Sequence, residues 1–133
     1  MKKITWIKLY IDINSNPKIT YLRELKNGNN YALIWTQILL IAGESNQDGQ
    51  LMVNQEAPYT AAHLAKVLIW PVSVMKKALI EFENLDMIEI NEGIITIANW
   101  EKYQSTKKMA KIRDDNAQVQ KNKRLKAKIA KSS

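Results

Sequence analysis

The 133-residue chain has no cysteine and a single histidine, His63. Without thiols there is no disulfide framework, no thiol nucleophile and no thiolate zinc site. One imidazole alone leaves no His–His metal pair and no serine–histidine–aspartate triad, and on the helix expected after Thr60 it reads as a surface residue. Glycine occurs four times, at 28, 43, 49 and 93, too scattered for a phosphate-cradling loop. Asp48-Gly49 lacks the alternating oxygen ligands and closing glutamate of a calcium loop. The carboxylates between Glu81 and Glu92 fall on different elements, so no pair stands out for acid–base work. No apolar run reaches the roughly 18 residues of a membrane span, and Lys8 and Asp12 break up the start, so it has no signal-peptide core. These absences point to a cytoplasmic, non-enzymatic protein without metal or cofactor.

What is abundant is positive charge, and it is unevenly placed. The formal net charge is +7. Residues 1–104 hold 10 Lys/Arg against 11 Asp/Glu, a net of −1, whereas residues 105–133 hold 10 Lys/Arg against Asp114 and Asp115, a net of +8. A polyanionic partner is therefore suggested chiefly by the tail, through counterion release. Two parts follow: a domain over 1–104 and a lysine-rich, helix-prone or disordered tail over 105–133 that orders on binding.

Along the domain, ITWIKLYIDI alternates, with Ile7, Leu9, Ile11 and Ile13 on one face, which predicts an extended segment over 4–13. Asn14-Ser15-Asn16-Pro17 is a helix start, and Ile19, Leu22 and Leu25 carry the apolar side of a short helix closing near Asn27-Gly28. Asn29 or Asn30 is expected to cap YALIWTQILLIA, which is apolar almost all round, ends at Gly43 and should form the centre of the core. GESNQDGQ reads as a loop and Leu51-Met52-Val53 as a short strand. Thr60 then caps a helix with Ala61, Leu64, Ala65 and Leu68 on one face. Ile69-Trp70-Pro71 interrupts it, and a second helix runs from about Val72 to Leu85. Met75, Ala78, Leu79 and Phe82 form its buried stripe, leaving Ser73, Lys76, Lys77, Ile80 and Asn84 pointing away. Beyond Leu85-Asp86 the period drops to 2: Ile88 and Ile90, then Ile95 and Ile97, are expected to face one way, and Asn91-Glu92-Gly93 supplies the tight turn of a hairpin. The four tryptophans, Trp6, Trp35, Trp70 and Trp100, read as packing anchors.

Helix, short turn, helix and hairpin is the order of a winged helix-turn-helix, an α+β, mostly helical fold with a β-hairpin wing. Its second helix enters the major groove, and the wing lies beside it. The candidate DNA contacts are Thr60 at a helix N-terminus, Ser73, Lys76, Lys77 and Asn84 on the second helix, and Asn91 on the wing. In the tail they are Lys107, Lys108, Lys111, Arg113, Lys121, Lys123 and Arg124. The set is poor in arginine, so phosphate contact and shape reading are favoured over a guanine code.

The segments ITWIKLYIDINSNPKI, ALIWTQILLIAGESNQDGQLMVNQEAPYTAAHLA and ALIEFENLDMIEINEGIITIANWEKYQS resemble the N-terminal region of phage replisome organiser proteins, replication initiators of phages and prophages of low-GC Gram-positive bacteria. The resemblance spans roughly residues 2 to 106, with a more distant similarity to the winged-helix domain of DnaD-type primosome proteins. It implies a domain that binds double-stranded DNA at the phage replication origin. Recruitment of the host helicase or its loader belongs, in such proteins, to a further C-terminal region outside these 133 residues. Two other readings stand beside it: a winged-helix transcriptional regulator, and a protein-interaction module that forms homo-oligomers through its N-terminal segment.

Overall fold

Asn16 opens the first helix, α1 (Pro17–Glu24), because its side-chain oxygen accepts from the N–H groups of Lys18 and Ile19 at 2.9 and 3.4 Å. Proline follows at the position where its missing N–H costs nothing. The computed structural model describes residues 5–9, 11–103, 114, 115 and 118, with the backbone alone at 11, 12, 102 and 103. The elements are α1, α2 (Gly28–Ser45), α3 (Ala61–Leu68), α4 (Val72–Asn84), β1 (Ile88–Asn91), β2 (Ile94–Ile97) and the short α5 (Trp100–Tyr103). This is the expected mostly helical α+β architecture with an antiparallel hairpin.

Helix α2 is the axis of the core. Its Ile34, Trp35, Ile38, Leu39 and Ala42 are fully buried against Leu22 of α1, Leu64 of α3, and Met75, Ala78 and Phe82 of α4. Trp35 and Phe82 meet edge to face with ring centroids 5.3 Å apart, the arrangement that the aromatic quadrupole favours. The hairpin pairs Ile88 with Ile97 and Ile90 with Ile95. Its two-residue turn, Glu92-Gly93, has φ of 51° and 78°, the double positive φ that matches strand twist in a tight hairpin. On the far side of β2, the stretch around Leu51 adds bridges in place of a full strand. Leu51 N–H donates to Ile95 O at 2.8 Å and Ile97 N–H to Gly49 O at 2.9 Å.

Five sequence expectations change. Residues 11–15 form a 3-10 turn instead of continuing an extended run, and the segment before them meets α2, not a sheet edge. A β-carbon on Gly43 would stand 2.4 Å from Ile7 Cγ2, so the alternating apolar residues serve helix packing. Because Gly43 is buried there it does not end α2. The helix runs on to Ser45 and closes at Asn46, whose N–H reaches Ala42 O with φ of 48°. The start of α2 follows Asn27, in the left-handed region and without a side-chain cap, while Asn29 Oδ1 accepts from Arg23 Nε at 3.0 Å. His63 is half-buried, its ring 4.8 Å from that of Tyr59. Trp6 is no core anchor, since it is 52% exposed. The other tryptophans pack: Trp35 and Trp100 are buried, and half-buried Trp70 donates from its indole N–H to Gln37 Oε1 at 2.8 Å.

Candidate nucleic-acid interface

Helices α3 and α4 pack on each other and on α2 through Leu64, Ala65, Met75, Ala78 and Phe82. The Thr60 hydroxyl accepts from His63 N–H at 3.1 Å and fixes the start of α3. Its end is a left-handed turn: Ile69 has φ 61° and ψ 57°, and the N–H groups of Ile69 and Trp70 both reach back to Ala65 O. Pro71 then starts α4, with Val74 and Met75 N–H donating to Pro71 O at 3.1 Å. The turn holds the N-terminus of α4 beside the end of α3, and the hairpin follows α4 after a break of three residues.

On this frame Thr60, Ser73, Lys76, Lys77 and Asn84 are exposed, as is Asn91 beside the hairpin turn. The structure brings Ser73, Lys76 and Lys77 together on the first half of α4. Asn84 and Asn91 stand elsewhere, among Glu83, Glu89 and Glu92, all exposed. Lys107, Lys108, Lys111, Arg113, Lys121, Lys123 and Arg124 lie outside the described residues. Among the described residues no group of three His, Cys, Asp or Glu is placed to hold a metal, and no helix is long and apolar enough to cross a membrane.

The sequence profile of the N-terminal phage replisome organiser family matches residues 6–125. The chain belongs to this family. Comparison with curated proteins and with solved structures gives no match. Membership in the replisome organiser family places the chain in phage replication and extends across much of the lysine-rich segment as well as the folded part.

Within this replisome organiser domain, reading the sequence by helix face missed how charge is divided. From Ala57 to Ile80 there are three lysines, Lys66, Lys76 and Lys77, and no acid, so the rest of residues 1–104 must carry −4 to reach the total of −1. From Glu81 to Glu101 the pattern reverses, with six acids and no basic residue. α3, the turn and the first nine residues of α4 are a cationic run in an otherwise acidic domain, ending where Glu81 and Glu83 enter the last turn of α4, and Lys66, exposed on α3, belongs to the same run as Lys76 and Lys77. Also missed was the apolar character of this side. Val67 is 48% exposed, Ile69 88%, Val72 42% and Ile80 57%. Only Ile80 was marked by its spacing; the exposure of Ile69 depends on a turn conformation that side-chain periodicity does not encode.

Proposed function

We propose that this domain is a non-enzymatic, duplex-DNA-binding module that positions a phage replisome organiser on the replication origin in the host cytoplasm. The observation that carries this reading is the acid-free stretch from Ala57 to Ile80, which contains α3, the turn and the first nine residues of α4 together with all three lysines of the helix pair; Glu81 and Glu83 fall in the last turn of α4. In a winged helix the second helix of that pair is the one presented to the major groove. Lys76 and Lys77 on α4 and Lys66 on α3 supply phosphate contacts, and Ser73 and Thr60 supply hydroxyls. The tail lysines add sequence-independent attraction. The acids of the wing repel phosphate, so the hairpin orients the domain more than it grips, and Asn84 and Asn91 contribute least. A promoter-bound regulator could use the same architecture; the family's role in phage replication favours the origin.

The test is the salt dependence of binding, followed by fluorescence anisotropy on a labelled duplex carrying the phage origin. Replacing Lys66, Lys76 and Lys77 together by alanine should lower the log–log salt slope by about 2 to 3, because each phosphate contact contributes about 0.9. An unchanged slope would remove the α3–α4 face from the interface and leave DNA binding to the tail.

A second reading has its own observation. Leu33 and Leu40 on the outer side of α2 are about half exposed, as are Trp6 and Leu9 of the segment that runs across it. That surface supports self-association, so Leu33→Glu with Leu40→Glu should lower the sedimentation coefficient if copies pair there.

A further inference from the structure

Between Ala57 and Ile80 there is no arginine, asparagine, glutamine, aspartate or glutamate. Those residue types make most of the hydrogen-bonded base contacts in the major groove, where arginine reads guanine, asparagine or glutamine reads adenine, and acids accept from cytosine. What α3, the turn and the first nine residues of α4 present instead, around three lysines, is a set of branched aliphatic side chains; Glu81, Glu83 and Asn84 follow only in the last turn of α4. Val72 and Ile80 lie on the outward side of α4, Val67 on α3, and Ile69 in the turn between them.

Ile69 is the most informative of these. Among the described residues seven non-glycine residues have positive φ, and the other six are Asn, Asp or Glu; of these seven Ile69 alone is β-branched. The left-handed conformation is strained for a residue with a branched β-carbon, and the position would suit glycine or asparagine. At 88% exposure the side chain recovers almost none of this by burial. A strained, solvent-facing isoleucine at the turn of a helix-turn-helix marks a surface kept for contact.

Resting on the reading that the α3–α4 face meets duplex DNA, we infer that this face reads the 5-methyl groups of thymine, so that its preferred sites are rich in A·T pairs. Thymine is the only standard base that shows a methyl group in the major groove, and apolar side chains are its partners there. A protein partner would also cover aliphatic side chains. Nucleic acid is favoured because Lys66, Lys76 and Lys77 are exposed in the same stretch as these side chains, and the acids of α4, Glu81 and Glu83, come only in its last turn. The lysines supply affinity for any sequence, and the aliphatic residues supply the preference.

The experiment uses the full chain and short duplexes of four compositions: A·T, the same sequence with deoxyuridine for thymine, G·C, and G·C with 5-methylcytosine. Replacing thymine by deoxyuridine removes one methyl and leaves base pairing intact. Each methyl group taken out of the interface should weaken binding roughly fourfold, from about 0.8 kcal/mol per buried carbon, so removing two or more gives a drop of at least tenfold. Methylated G·C should bind more tightly than plain G·C. Ile80→Ala and Ile69→Gly should bind A·T and A·U duplexes with nearly equal affinity, while Ile80→Val should keep most of the discrimination. Circular dichroism checks that each variant is folded. Equal binding of A·T and A·U duplexes, with binding still sensitive to Lys76→Ala and Lys77→Ala, would overturn the methyl inference and leave the DNA-binding reading standing. Insensitivity to thymine and to the lysines alike would overturn both. If Ile80→Ala instead dissolves a self-associated state and leaves the A·T to A·U ratio unchanged, the aliphatic surface belongs to a second copy of the chain and the inference falls.

Discussion

At position 69 local stability and exposed surface pull in opposite directions. The backbone there is left-handed because the Ile69 and Trp70 N–H groups close α3 on Ala65 O, and that geometry suits glycine better than any branched residue. Ile69→Gly should therefore raise stability by about 1 kcal/mol, visible as a higher urea midpoint with an unchanged slope, even as it reduces thymine discrimination. Asn16 is the opposite case, a residue whose local role was plain from sequence. Asn-Pro ahead of an apolar period marks a helix start, and the side chain caps two N–H groups. Asn16→Ala should cost about 1 kcal/mol in thermal or denaturant unfolding. Thr60 and the buried stripe of α4 were equally legible, because capping and period 3.6 are local. The exposure of Ile69 was not, because it depends on a backbone dihedral that its neighbours impose.

Among the elements, the N-terminal segment shows how far alternation can be trusted. Ile7, Leu9 and Ile13 alternate as a strand would, yet the only strands among the described residues are β1 and β2, and the segment crosses α2 instead. Alternation gives two faces; it does not say whether a sheet edge is free to receive them. The contact depends on Gly43, where a β-carbon would meet Ile7 Cγ2. Gly43→Ala should push the segment off α2 while leaving the core in place. The expected outcome is faster proteolysis near Trp6 and a red-shifted tryptophan emission, with a melting temperature lowered only slightly. Ser45 holds the next connection: its hydroxyl accepts from Met52 N–H at 3.1 Å and lies within 2.9 Å of the Ile41 and Met52 carbonyls. Sequence placed Ser45 in a loop because Gly43 resembled a helix terminator; burial of that glycine against Ile7 is what carries α2 two residues further.

After residue 56, charge is arranged in three blocks: a cationic run from Ala57 to Ile80, an acidic run from Glu81 to Glu101, and a tail of net +8. On the proposed DNA-binding function, the outer two would attract the same polyanion and the middle one would not, so the domain should approach DNA in a preferred orientation and its association rate should fall with ionic strength. Neutralising Lys107, Lys108 and Lys111 to glutamine should weaken binding to every duplex by a similar factor and reduce the salt slope by up to about 3, from about 0.9 per contact. The ratio between A·T and A·U duplexes should be unchanged. Net charge by segment was fully legible in the sequence, and so were the two helices that the acid-free run overlaps; the exposure of Ile69 in the turn between them became clear only with the fold.

The acidic run also protects the hairpin. Strand β1 is an edge of its small sheet, with β2 on one side only, and Ile90 on it is 40% exposed. The sequence around it, from Met87 to Ile97, contains five isoleucines, the composition from which intermolecular strand pairing grows. Glu89 and Glu92 put like charges on that edge whenever two copies meet. Glu89→Val with Glu92→Asn, which suits the positive φ of the turn, should leave the folded domain intact but shorten its shelf life at high concentration, measured as light scattering over time. The same two carboxylates to which the proposed function gives the role of holding the wing away from phosphate thus help keep the chain from adding to itself.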